Sequence, residues 1–325
     1  MPTAAILGAS GYSGQETLDR VLVHPDLELV ALGSESLAGE AAGALDPRLN
    51  GNLPAFVPNA EAADAEADVV FWCLAHEDAA GLEPPEHGVV VDLSGAHRLR
   101  DASLYREWYG FDHPAPAELA EWSYALPEHG AADGRLLANP GCYATAALLA
   151  LAPIVDAIEH AGVVVDAKSG VSGAGRALKA SSHAGFVLEN LSPYRVGTHQ
   201  HTPELEQELG FAVCFVPHLL PVRRGLLATC YVEALENLRP LLEDAYAQAP
   251  AVRVLAEGVQ PELSRVQQSD CAEIALYEDL STGRAVVVCV LDNLGKGAAG
   301  NAVQNANLAL GLDETAGLRL TGVLV

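Results

Sequence analysis

Residues 139–145 read Asn-Pro-Gly-Cys-Tyr-Ala-Thr, and Cys142 is the only cysteine in such a setting. Asn139-Pro140-Gly141 closes a short apolar strand pattern at 136–139, and an apolar helical pattern follows over 143–160. A cysteine at a helix start meets unpaired N–H groups and the positive end of the macrodipole. Both favour the thiolate, which is the nucleophile. The same position, at the carboxyl edge of a parallel sheet, is where such folds bind ligands. Position alone leaves two readings open, a nucleophile or a small side chain packed on the first helical turn.

A thiol needs a proton partner. Residues 199–204 read His-Gln-His-Thr-Pro-Glu. In an extended chain His199 and His201 face one side, and Thr202-Pro203-Glu204 reads as the cap and first turn of a helix over 203–209. Histidines at that spacing serve as metal ligands, as proton donor and acceptor beside a thiol, or as plain loop residues. No acidic or cysteine partners complete a ligand set, so no metal is expected. His218, in the run 215–220, is a third candidate.

Two glycine-rich stretches suit anions. Gly8-Ala9-Ser10-Gly11-Tyr12-Ser13-Gly14 lies between the first strand pattern and the first helix pattern. Glycines there let the backbone approach a pyrophosphate while the helix N-terminus donates N–H groups. A tight turn is the alternative, but strand, loop and helix come in the order a dinucleotide site requires. At the end of the second strand stand Ser34, Glu35 and Ser36. An acid there suits the free 2′-hydroxyl of NAD, and two serines suit the 2′-phosphate of NADP, so the choice stays open. Residues 168–176, Lys-Ser-Gly-Val-Ser-Gly-Ala-Gly-Arg, form either a connecting loop or an oxyanion or phosphate cradle ending in Arg176.

The elements that must carry these groups follow from texture. Short buried strands at 3–9, 27–34, 69–75, 89–94 and 136–139 alternate with helical stretches, one of them over 13–24, which is the pattern of a parallel sheet. Residues 114–122 read as a loop plus a short helix. Beyond the helix after Cys142 the strands lengthen and the helices thin out, as in a mostly antiparallel second sheet, and a last helix is expected over 296–312. At 325 residues, half of them hydrophobic, two domains are expected. No run of about 18 apolar residues and no leader pattern appears, so a cytoplasmic protein with no membrane partner is expected. With 18 basic against 43 acidic residues the net charge is −25, which makes nucleic acid a poor partner. Lysine occurs only at 168, 179 and 296, near the glycine-rich stretches. Cys73, Cys214, Cys230, Cys271 and Cys289 lie in or beside strand-like runs and read as small core residues in a reducing compartment.

Seven stretches in one order resemble the N-acetyl-γ-glutamyl-phosphate reductases, relatives of aspartate-semialdehyde dehydrogenase, through essentially the whole chain. They are residues 8–14, 92–99, 139–145, 170–176, 199–204, 216–227 and 292–300. The resemblance implies a Rossmann-type NAD(P)-binding domain over 1–141 and 298–325, with the final helix returning to it. It implies an α+β catalytic and dimerisation domain over 142–297, like the second domain of glyceraldehyde-3-phosphate dehydrogenase. The implied activity is NADPH-dependent reduction of N-acetyl-L-glutamyl 5-phosphate in arginine biosynthesis, by a homodimer or homotetramer acting on a small acyl phosphate. Cys142 would be the nucleophile and His201 the general acid/base, with His199 close by. Gly8, Ser10, Gly11, Tyr12, Ser13, Gly14, Ser34, Ser36, Gly173, Asn293, Lys296 and Gly297 would face the cofactor. Arg98, Asn139, Ser172, Arg176 and His218 would face the substrate or its phosphate. His97, Ala144 and Gln200 depart from the family's pattern. The alternatives are an aminoadipyl- or glutamyl-phosphate reductase of lysine or ornithine biosynthesis, whose substrate rides on a small acidic carrier protein that a chain at −25 would repel, and a non-catalytic NADP-binding redox sensor switched at Cys142.

Overall fold

A computed structural model describes every residue except 50, 52, 131–133, 178–182, 280 and 323–325, so Lys179 lies outside the described residues. Contacts divide the chain into two units, Met1–Pro140 with Ala298–Leu318, and Gly141–Gly297 with Arg319–Val325. The sequence reading placed the whole C-terminal tail in the first domain. Arg319 N instead donates to Asp270 Oδ2 at 2.8 Å, and Leu320 O accepts from Cys271 Sγ at 3.0 Å, so this stretch is tied to the second unit.

The first unit is a parallel sheet in the order β3-β2-β1-β4-β5-β7-β6. Its strands are β1 (Thr3–Leu7), β2 (Glu28–Gly33), β3 (Phe56–Val57), β4 (Val69–Trp72), β5 (Val89–Asp92), β6 (Ser123–Tyr124) and β7 (Leu136–Ala138). Val69–Trp72 and Val89–Asp92 are buried throughout, which explains runs such as Val-Val-Phe-Trp that do not alternate: both faces of the sheet are covered. The helices are α1 (Tyr12–Val21), α2 (Asn59–Ala63), α3 (His76–Ala80) and α4 (Leu104–Trp108). A late helix, Gly300–Leu310, completes the unit by packing on α1 and β5, where Ala302, Val303 and Ala306 join the core with Ile6, Leu18 and Val91.

The second unit is a mixed sheet in the order β12-β13-β14-β11-β8-β10-β9. Its strands are β8 (Ile158–Gly170), β9 (Ser192–Pro193), β10 (Cys214–Leu220), β11 (Leu226–Ala234), β12 (Val252–Val254), β13 (Ala272–Asp279) and β14 (Arg284–Leu291). Among the described residues only β8/β10 and β12/β13 pair in parallel in this sheet. The helices are α5 (Cys142–Leu151), α6 (Ala184–Val187), α7 (His201–Leu209), α8 (Arg239–Tyr246) and α9 (Leu263–Val266), which makes the late helix of the first unit α10. One sheet face packs on α5, nine of whose ten residues are buried. Along β8 and β11 buried residues alternate with half-exposed ones, so the opposite face stays open.

Three local expectations are corrected. The helix after Cys142 ends at Leu151 rather than 160. Pro153 opens a 3₁₀ turn, Ala152–Ala157, and β8 begins at Ile158, because a proline cannot donate into a continuing helix. The helix of the histidine motif begins at His201, with Gln200 as its cap residue, so Thr202 lies inside it. Cys214 is exposed rather than a core residue, since it starts β10 on the open face, whereas Cys73, Cys230, Cys271 and Cys289 are buried.

Candidate active site

In the first unit the loop after β1 is shaped by contacts that only glycine allows. Gly8 has φ 69°, and a Cβ there would lie 2.2 Å from Cys73 O; at Gly14 one would lie 2.3 Å from Gly8 O. Gly11 caps α1 in extended conformation and, having no side chain, places no cap hydrogen bond on the first turn, Tyr12, Ser13 and Gly14. A helix start of this shape can cradle a pyrophosphate. Ser34 Oγ donates to Ser10 Oγ at 2.8 Å and lies 3.3 Å from Ser36 Oγ, which groups three hydroxyls at the end of β2. Glu35 Oε1 accepts the backbone N–H of Asn59 at 2.9 Å and so caps α2.

Asp92, fully buried at the end of β5, organises the loop beyond it. Oδ1 accepts Ser94 N at 2.7 Å, and Oδ2 accepts Ser94 Oγ at 2.9 Å and His97 Nδ1 at 2.7 Å. Burial pushes this carboxyl up, but the bond and charge of His97 with the two Ser94 bonds outweigh it and hold Asp92 below the usual carboxylate range. Arg98 then donates from Nε to Asn139 O at 2.8 Å and from Nη2 to Leu93 O at 2.9 Å.

Asn139 was expected to face substrate. Its side chain is fully buried and spent on the interior: Oδ1 accepts from Asn301 at 3.0 Å and Asn305 at 3.2 Å, while Nδ2 donates to Pro140 O and Ala298 O. It braces β7 against α10.

In the second unit Gly141 caps α5 in extended conformation and Cys142 opens the helix, half-exposed on an otherwise buried element. The buried carboxylate of Glu204, on α7, accepts Gly141 N at 2.7 Å and so ties the histidine helix to the cysteine helix. Gly297 closes the other side; a Cβ on it would lie 2.8 Å from Cys142 Cβ. Its turn is knotted by the buried Asp292, which accepts Arg224 Nε at 2.6 Å and the N–H groups of Gln268, Leu294 and Gly295. Gly297 is thus set by packing on Cys142.

His199 is buried, and its Nδ1 accepts His201 N at 3.1 Å, which leaves Nε2 as the donor. Burial, with the charges of His201 and Arg195, pushes it down to about 2, so it stays neutral. The two rings meet edge to face at 4.7 Å, and each also packs on Tyr143. Tyr194 Oη donates to Tyr143 Oη at 3.2 Å, and Tyr143 donates to His218 O at 3.0 Å. Burial first, and the nearby Cys142 charge among lesser causes, push Tyr194 up to about 12 and Tyr143 higher still.

His218 departs from expectation. Its ring points to the open face of the sheet, where Nδ1 lies 3.2 Å from Asp166 Oδ1, while Phe215 on the opposite face packs against Tyr143 and His199. Ser172 Oγ accepts Asn293 Nδ2 at 2.9 Å, so two expected residues brace each other. Gly173 and Arg176 are exposed, and Lys296 is fully buried. Glu204, Tyr143, Tyr194, Arg224 and Asp292 escaped the sequence reading. All but Tyr194 lie inside the stretches 139–145, 199–204, 216–227 and 292–300, which marked the neighbourhood but not the residue.

Residues 3–134 match the semialdehyde dehydrogenase NAD binding domain, and residues 142–293 match the semialdehyde dehydrogenase dimerisation domain. Among solved structures, aspartate semialdehyde dehydrogenase II of Vibrio cholerae, complexed with ASA, superposes with a TM-score of 0.72 at 20% identity, over 95% of this chain and 98% of that one. The Candida albicans aspartate semialdehyde dehydrogenase with NADP gives 0.61 at 16% identity, over 95% and 98%. These neighbours share the fold. Among curated relatives, the N-acetyl-gamma-glutamyl-phosphate reductase of Salinispora tropica is 44% identical over 98% of both chains. That of Pelotomaculum thermopropionicum is 42% identical over 98% of both. The chain belongs to the N-acetyl-gamma-glutamyl-phosphate reductase family.

Proposed function

We propose that this chain reduces N-acetyl-L-glutamyl 5-phosphate to N-acetyl-L-glutamate 5-semialdehyde with NADPH, releasing phosphate, through a thioester on Cys142. The observation that carries the reading is the setting of Cys142: the one half-exposed residue of a buried helix, at its N-terminus, held by Glu204 on one side and Gly297 on the other. The Cys142 thiolate attacks the acyl carbon, and the bond from that carbon to the phosphate oxygen breaks. Arg98, its guanidinium oriented by two carbonyls, receives the departing phosphate. A thioester accepts hydride far more readily than a carboxylate, which is the reason for covalent catalysis here. When bound, the nicotinamide supplies that hydride. His201 holds the proton at the carbonyl oxygen as the carbon–sulfur bond breaks. His199, kept neutral, offers a hydrogen-bond donor rather than a second proton.

NADP rather than NAD is the proposed partner. Glu35 is engaged by the start of α2, which draws the acid away, and the hydroxyls of Ser10, Ser34 and Ser36 remain grouped at the end of β2 for a 2′-phosphate. The proposed assembly is a homo-oligomer in which a second copy covers the open sheet face, in keeping with the dimerisation-domain match. Among the described residues no helix is long and apolar enough to cross a membrane. The relatives' shared name favours the free acyl phosphate over a carrier-linked substrate or a redox switch.

The test is phosphate-dependent oxidation of N-acetyl-L-glutamate 5-semialdehyde with NADP. NADPH formation that requires phosphate, and that is faster with NADP than with NAD, is expected. Silence with this aldehyde and turnover with another semialdehyde would sink the reading.

A further inference from the structure

His97 is a buried histidine for which the chemistry above has no use. Its ring stacks on Trp122, with centroids 3.8 Å apart and planes at 11°, and meets Trp72 at 5.9 Å. Its Nδ1 lies 2.7 Å from Asp92 Oδ2. An ionised carboxylate only accepts, so Nδ1 carries the hydrogen. The other titratable group facing the ring is His113, edge-on at 5.6 Å, which burial and the neighbouring His97 charge hold below the usual histidine range. Asp92 and His97 therefore form a matched pair in an aromatic box, with Ser94 donating to both carboxylate oxygens.

The next residue is Arg98. With His97 fixed on both ring face and ring nitrogen, the backbone at 97–98 has little freedom, and the guanidinium reaches Asn139 O and Leu93 O from that fixed start. Without the Nδ1–H a buried carboxylate loses a donor, and the loop must shift to replace it.

We propose that His97 is a positioning residue for the phosphate step: its hydrogen bond to Asp92 and its stack on Trp122 aim Arg98. This rests on the reading that Arg98 receives the phosphate. His97 touches neither substrate nor cofactor and acts through its neighbour.

The test measures KM for inorganic phosphate and KM for NADP in the oxidative direction for His97→Phe, His97→Asn and Arg98→Gln. Phe keeps the aromatic face but loses the donor, whereas the Asn side-chain nitrogen falls close to the position of Nδ1. His97→Phe is expected to raise KM for phosphate about tenfold, the effect of losing one hydrogen bond to a charged group, and to leave KM for NADP within about twofold. His97→Asn is expected to recover most of the phosphate KM even if its melting temperature falls. A His97→Phe enzyme with the wild-type phosphate KM, while Arg98→Gln raises it, would overturn the role of His97 and leave that of Arg98 standing. An unchanged phosphate KM in Arg98→Gln would overturn the reading of Arg98, and with it this proposal. Two His97 variants that raise both KM values in step would show general damage and also overturn it.

Discussion

At Gly297 a single hydrogen atom stands where any side chain would press on Cys142, the proposed nucleophile. Gly297→Ala brings a methyl to 2.8 Å from Cys142 Cβ, so the thiol must move by several tenths of an ångström. The variant is expected to lose about ten- to a hundredfold in kcat, the scale of a small misplacement of a reacting group, with the protein still folded. Steady-state kinetics beside a thermal melt checks this, and an unchanged kcat would show that the thiol has slack. Asp92 gives the pH prediction. Its folded carboxyl lies below the unfolded value, so its contribution to stability is full above about pH 4 and is lost as pH falls through the folded pKa. Asp92→Asn should therefore melt below wild type at pH 7, and the gap should narrow in acid. A gap that is constant or grows in acid would contradict an ionised Asp92 held by these bonds. The place of Cys142 at a helix start was legible because Asn-Pro-Gly breaks the chain before it, whereas position alone left its role open. The settings of His218 and Asn139 were not legible because sequence shows that a polar residue is near a site, not which face it points to: strand alternation places the His218 ring beside Asp166, and α10 engages the Asn139 amide.

Elements translate these positions into a working arrangement. The strand–loop–helix at the N-terminus was readable because its glycines are needed for backbone clearance and its strand is buried on both faces. The reach of α5 was not, because the apolar pattern runs past Leu151 while Pro153 and the start of β8 end the helix. Two-residue strands such as β3 and β6 leave no periodicity to read. Helix α10 shows a device that composition hides: Asn301 and Asn305, one turn apart, both donate to Ala125 O and Asn139 Oδ1. Replacing Asn301 by Ala leaves buried acceptors short of a donor and is expected to cost about 1–3 kcal/mol. Urea denaturation measures it, and an unchanged midpoint would mean that Asn305 alone suffices.

At the scale of the whole molecule, charge and open surface set the partners. A net charge of −25 disfavours nucleic acid. The open face of the second sheet carries Val164, Val216, Leu227, Thr229 and Tyr231, half-exposed and mostly apolar, with the Asp166, Lys168 and His218 group among them. If a second copy covers this face, Tyr231→Asp, which buries an unpaired charge, should shift the protein toward monomer in analytical ultracentrifugation. An unshifted oligomer would place the interface elsewhere.

The central claim is the covalent one: Cys142 carries the acyl group while the cofactor is reduced. Mixing the enzyme with N-acetyl-L-glutamate 5-semialdehyde and NADP in the absence of phosphate tests it most directly. The account predicts a rapid burst of NADPH equal to the concentration of active sites, then a stall, with an acyl adduct on the Cys142 peptide by mass spectrometry; Cys142→Ser gives neither. Sustained NADPH formation without phosphate, or a burst with an unmodified Cys142, would contradict it.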